Sequence, residues 1–162
     1  MRRAAFVFVL AAAVGLSAAG DAKGTLNYKG KAKDFAVALK YAHFVKGPDE
    51  MDPKTTIKRV ILSSTDLTAK IQACKTFDCT DKGLTEGIEI DITGGPRLLY
   101  WLVVSDGLVQ YSGTQQPATL VTTADTSQRL AGKITFDDSA AGGAKLDVTF
   151  DAALLKTFDK AR

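Results

Sequence analysis

Leu98-Leu99-Tyr100-Trp101-Leu102-Val103-Val104 decides the fold class of this 162-residue chain. Odd and even positions are both apolar, so as an extended segment the run has no polar face. It is expected as a central strand covered on each side. It leads into Asp106-Gly107, a dipeptide suited to a type I′ turn because both central residues of that turn need positive φ. Leu108 to Tyr111 then reads as the returning strand of a hairpin, and Gly94-Gly95-Pro96 marks a turn before it.

Outward from this hairpin the apolar residues recur with a period of two. Ile88, Ile90 and Ile92 alternate with Glu89 and Asp91. Leu130, Ile134 and Phe136 alternate with Ala131, Lys133 and Thr135, and Leu146, Val148 and Phe150 with Asp147, Thr149 and Asp151. Nearer the start, Val37, Leu39, Tyr41, His43 and Val45 are expected on one face of a long strand. Asp138 to Gly143 marks a further turn.

One segment departs from the pattern. Ser63 to Lys75 (SSTDLTAKIQACK) has a cap-rich start, and Leu67, Ile71 and Cys74 follow helical spacing. It predicts a short helix laying one apolar face on the sheet. About seven to nine strands with one helix describe a mainly β domain, either an antiparallel β-sandwich or a small β-barrel.

The first twenty residues carry a different signal. Arg2 and Arg3 precede Ala4–Leu16, an uncharged apolar run, and Ser17-Ala18-Ala19 supplies the small residues that a signal peptidase reads. The run has 13 residues, whereas a bilayer span takes about 20. A signal peptide over residues 1–19 is expected, with cleavage after Ala19 and Gly20 or Ala22 as alternatives. Residues 20–162 then form a single exported domain, periplasmic or extracellular, with no transmembrane segment.

Charge bounds the partners. The chain holds 21 basic and 18 acidic residues; Arg2 and Arg3 leave with the signal, so 19 basic residues remain against 18 acidic. That balance lacks the basic excess of a nucleic-acid binder, and no nucleic-acid partner is expected. Lys29, Lys31 and Lys33 still cluster near the mature N-terminus, either as solvated positions or as a basic face for an anionic partner. Cys74 and Cys79 form an even pair at short spacing, which in an oxidising compartment predicts a disulfide.

Chemistry-bearing groups are few. His43 is the one histidine, so any serine or cysteine triad would need it as base; its neighbours Ala42 and Phe44 give no catalytic context. Asp49, Glu50 and Asp52 lie in the loop Gly47–Pro53 and form a weak calcium candidate without EF-hand spacing. Asp137-Asp138 is weaker, since neighbours on a strand point to opposite faces. No Gly-rich loop precedes a helix with the lysine of a phosphate-binding motif, so no cofactor is expected. Tyr100, Trp101 and Tyr111 beside the central hairpin are the candidate ligand contacts, with His43.

Four passages carry a resemblance: Gly24 to Lys31 (GTLNYKGK), Met51 to Lys54 (MDPK), Ile61 to Asp66 (ILSSTD) and the strand pair Leu130 to Ala152. Together they resemble a loose group of small secreted bacterial β-domains with no assigned activity. The resemblance implies one exported β-domain and transfers no functional residue. The residues themselves point to a non-catalytic binding or interaction domain of the bacterial cell envelope, its partner an envelope protein or a small ligand. One alternative is a barrel carrying a small apolar ligand against Leu99, Trp101, Ile134 and Phe136. Another is an enzyme using His43 or a carboxylate pair.

Overall fold

The computed structural model describes residues 18–162. The expected signal peptide lies outside the described residues apart from Ala18 and Ala19. Nine strands follow in chain order: β1 (Gly20–Lys29), β2 (Asp34–Pro48), β3 (Thr56–Ser63), β4 (Gly87–Ile92), β5 (Leu98–Val104), β6 (Val109–Gln115), β7 (Leu120–Asp125), β8 (Arg129–Asp137) and β9 (Ala144–Thr157). They form one antiparallel sheet in the order β6-β5-β4-β3-β2-β1-β9-β8-β7, curled into a half-barrel. A single curled sheet replaces the sandwich alternative.

Strand lengths account for one irregularity in the pairing. β2 and β9 flank β1 and are both antiparallel to it, so they run parallel to each other. Both are longer than β1, with 15 and 14 residues against 10. Past the start of β1 they meet directly, pairing Phe44 with Leu154 and Val45 with Lys156.

The concave face is packed with side chains from every strand, among them Leu26, Phe44, Leu62, Ile90, Leu102, Ile134 and Leu146, with Tyr111 and Leu120 at the margins. Ile134 and Phe136 belong to this packed core, while Leu99 and Trp101 lie on the other face of β5. The four residues expected to line one carrier cavity therefore do not share a cavity. The reason is strand geometry: in β5, residues 98, 100, 102 and 104 face inward and their neighbours outward.

β2 corrects a second expectation. Val37 and Leu39 face the concave core, but so do Ala42 and Phe44, whereas Val45 packs on the convex side. The face changes where the β1–β2 register shifts, between the Asp21–Tyr41 and Gly24–Leu39 pairings. A bulge there advances one strand against the other and re-aims the side chains beyond it.

The convex side carries a smaller core. Helix α1 (Thr68–Ala73) and a 3-10 turn (Phe77–Gly83) lie over it, joined by the Cys74–Cys79 disulfide. Leu67, Ile71, Phe77, Leu84 and Phe158 pack there on Val45, Ile57, Ile61 and Val103. The helix is shorter than Ser63–Lys75 because Ser63 stays in β3, paired with Tyr41 and Gly87. Gly47 lets Phe77 approach: a Cβ there would come within 2.4 Å of the ring.

The hairpin turn after β5 closes through Leu108 N–H donating to the Ser105 carbonyl at 3.1 Å, with Asp106 and Gly107 at φ 53° and 87°. Both central residues have the sign expected of Asp-Gly. Ser105 also has positive φ, at 60°.

Candidate functional site

β5 was expected to be covered on both faces, and it is covered on one and a half. Val103 is buried under the convex cover, Trp101 is half-buried at its margin, and Leu99 is 49% exposed beyond it. The apolar outer edge of β5 thus continues past its cover. The sheet register sets its neighbours in two rows across four strands. One row is Arg59, Asp91, Leu99, Thr114; the other is Ile61, Glu89, Trp101, Ser112.

Arg59 anchors the buried end of these rows. Its Nε and Nη2 donate to the two carboxylate oxygens of Asp91 at 2.6 and 2.8 Å, and Nη1 donates to Thr80 Oγ1 at 3.1 Å. Thr80 in turn donates to the Phe77 carbonyl at 2.8 Å. The guanidinium carbon lies 4.3 Å from the Phe77 ring centroid. A bidentate carboxylate and an aromatic face suit the planar guanidinium, and they hold it charged in a site where burial alone would favour the neutral form.

Glu89 is left incompletely matched. Its residue exposure is 6%, its Oε1 is 3.4 Å from Arg59 Nη2, and its buried Oε2 has no hydrogen-bond partner. Burial pushes its pKa up to about 8, against the pull of Arg59, with Asp91, Asp81 and Asp78 adding to the rise. Burial thus favours the protonated carboxyl, which both donates and accepts.

Trp101 stands between two openings. One, of about 470 Å³, is lined by Glu89, Asp91, Leu99, Ser112 and Thr114. The other, of about 870 Å³, is lined by Asp78, Asp81, Lys82, Thr85, Asp106 and Gln110, with Arg162 at its edge. Asp81 also has a buried oxygen without a partner, and burial raises its pKa. The two partnerless carboxyl oxygens thus belong to residues lining the openings on either side of the indole. Arg162 is itself paired, to Glu50 at 2.7 Å and Asp78 at 3.0 Å.

The other expected contacts are scattered. Tyr100 and Tyr111 face the concave side, their ring centroids 6.2 Å apart. Tyr100 Oη donates to Asp138 Oδ2, which also accepts from Gln115 Nε2, so the pair ties β5 and β6 to the β8–β9 turn. Gly113 makes room for the Tyr100 ring, since a Cβ would lie 2.6 Å from it.

His43 is 1% exposed beneath the start of α1 and lines neither opening beside Trp101. Its Nε2 accepts the Leu67 N–H at 3.0 Å, which puts the neutral-ring proton on Nδ1. Asp66 Oδ1 lies 3.2 Å from the same nitrogen and accepts the Thr68 N–H. His43 thus serves the helix start as an acceptor, where the first amides lack intrahelical partners.

The calcium candidate does not assemble. Asp49 Oδ1 accepts the Met51 and Asp52 amides, Asp52 accepts from Lys54 N–H and Thr55 Oγ1, and Glu50 turns to Arg162. Among the described residues, no group of three or more His, Cys, Asp or Glu side chains is placed to hold a metal. No helix among them is long and apolar enough to cross a membrane.

Glu89 and Asp91 in β4 read as ordinary alternation, and Arg59 in β3 reads as the end of a solvated basic series from Lys40 to Arg59, whereas the structure buries it. The available signal was a Glu and an Asp two apart on the face opposite three isoleucines, beside a strand with no polar face. No family model, curated protein or solved structure matches the chain.

Proposed function

We propose that this is an exported, non-catalytic binding domain of the bacterial cell envelope, and that the cleft around Trp101 takes a neutral polyhydroxylated ligand such as a glycan segment. The observation that carries the reading is Glu89: a nearly sealed carboxyl with an unpartnered oxygen, lining a cleft beside a half-buried indole. A buried polar atom without a partner costs about 1–3 kcal/mol; Oε2 is sealed while the indole stays in place, so a ligand hydroxyl removes that cost as the half-buried ring shifts aside. The indole offers a flat apolar surface for sugar C–H groups, and Ser112, Thr114 and Gln110 on β6 add hydroxyl and amide groups at the rim.

Charge favours a neutral ligand over an ionic one. Asp91 is satisfied by Arg59, burial favours the neutral form of Glu89, Arg162 is paired, and Lys82 and Asp106 at the larger opening are of opposite sign. A non-catalytic role is supported by the same facts. Asp91 already spends both oxygens on Arg59, and His43 is sealed away from the cleft.

Trp101 is the one tryptophan of the chain, so its fluorescence reports on this cleft alone. Titration with neutral oligosaccharides of several linkages should shift its emission, and calorimetry on Trp101→Leu should show at least a tenfold loss of affinity, about 1.4 kcal/mol. No emission shift and no heat with any saccharide would sink the reading. Release of shorter fragments would identify an enzyme instead.

A further inference from the structure

The β1–β2 turn and the β5–β6 turn meet around a second groove, of about 450 Å³, separate from the Trp101 cleft. Tyr28, Phe35 and Val109 line it together with Lys31, Lys33 and Leu108. Leu108 is 84% exposed, and Lys33 Nζ sits 4.9 Å from the Phe35 ring centroid. Lys29, Lys31 and Lys33 are all exposed, and none makes an ion pair among the described residues. Lys29 lies opposite Asp34 across the β1–β2 ladder and shares a neighbouring opening with it and Asp137, and Asp106 lies at the Trp101 cleft, which leaves Lys31 and Lys33 as the cations of this groove.

Two features coincide here that one simple partner must explain together. An unpaired cluster of lysines calls for anions. Leu108 continues the apolar lining made by Tyr28, Phe35 and Val109, and a contiguous exposed apolar patch calls for an apolar phase. A free anion leaves the apolar patch unexplained, and an apolar protein surface leaves the lysines unexplained. Phosphate headgroups above hydrocarbon satisfy both, because cations pair at the headgroup level while an apolar tip reaches the acyl boundary.

We propose that this end of the domain docks on an anionic lipid surface, with Leu108 entering the headgroup layer and Lys31 and Lys33 facing the lipid phosphates. The docking surface lies next to the Trp101 cleft, since Gln110 lines both openings. It does not depend on what that cleft binds.

The test is co-sedimentation with phosphatidylcholine vesicles, with and without about 30% phosphatidylglycerol. Oxidised wild-type protein should bind the anionic vesicles alone, and binding should fall between about 50 mM and 500 mM salt as screening sets in. Lys31→Glu with Lys33→Glu should lower the partition coefficient at least tenfold, taking about fivefold per lysine at an anionic surface. Leu108→Ser should lower it severalfold with unchanged salt dependence. All three residues are exposed, and an unchanged thermal midpoint would show that each variant still folds. Equal binding to neutral vesicles, no binding at low salt, or variants indistinguishable from wild type would each overturn the proposal. So would binding of monomeric dodecyl phosphate without binding of vesicles.

Discussion

Glu89 and Trp101 are direct cross-strand partners on the convex face of the β4–β5 ladder, and each lines the smaller of the two openings there. The pairing sets a buried acid beside an indole at the point where the cover over the sheet ends. A cross-strand pair of this kind normally contributes through mutual packing. Here the acid is more buried than the ring, which inverts the usual order of polar and apolar exposure.

Glu89 gives the domain a distinctive pH dependence. Its folded pKa of about 8 lies above the ordinary 4.5, so between those values the folded chain binds more protons than the unfolded one. The stability carried by the protonated form is complete below pH 4.5 and is lost as the pH rises through about 8. The limiting slope for one proton is about 1.4 kcal/mol per pH unit. Glu89→Gln should remove this slope and be the more stable protein at pH 8. Denaturant titrations across that range would check it, and parallel curves for the two proteins would show that Glu89 is ionised in the fold.

His43 acts in the opposite sense. Burial lowers its pKa below 6.5 despite the hydrogen bond and charge of Asp66. The unfolded chain therefore takes up a proton first, and stability falls as the pH drops below about 6.5 until the folded histidine also protonates. Protonating Nε2 would also expel the Leu67 N–H from its acceptor. His43→Gln should cost about 1–3 kcal/mol at neutral pH and flatten the acid limb. Thermal melts at pH 5 and 7 on both proteins would measure it.

The Cys74–Cys79 bridge closes a short loop between α1 and the 3-10 turn, with a sequence separation of 5. Short loops remove little chain entropy, so replacing both cysteines by serine should cost about 2 kcal/mol. The loss should be local as well as global. Amide exchange in α1 and the 3-10 turn should accelerate before that in β3 or β9, and uniform acceleration would count against a local clamp.

Gly47→Ala tests whether Phe77 holds the ion cluster. The new methyl would meet the Phe77 ring, and overpacking of this kind costs about 1–3 kcal/mol. Displacing the ring also withdraws the aromatic face from Arg59 and disturbs Thr80, which shares the same turn. Besides the lost stability, the alkaline loss attributed to Glu89 should change midpoint, because its surroundings change with Phe77. A variant with wild-type stability would show that the turn yields freely.

Much of the β architecture was legible in the chain itself. Ile88, Ile90, Leu146, Val148 and Phe150 alternate with polar residues because a strand exposes successive side chains to opposite faces, and each of these five lies in the concave core. Asp106-Gly107 specified its turn because few other pairs accept two positive φ angles. The disulfide followed from an even pair of cysteines at short range. All of these are local properties, fixed by residues within a few positions of one another.

What needed the tertiary structure was everything set by register and by coverage. Sequence alone could not say that β2 changes faces at the bulge, because the displaced register belongs to a strand pair. Nor could it say that the cover over β5 reaches Val103 but leaves Leu99 exposed. That boundary depends on where α1 and the 3-10 turn lie on the sheet, as does the burial of Glu89 behind Trp101. Alternation tells which side of a strand a residue occupies; only the packed neighbours decide whether that side is core, rim or open cleft.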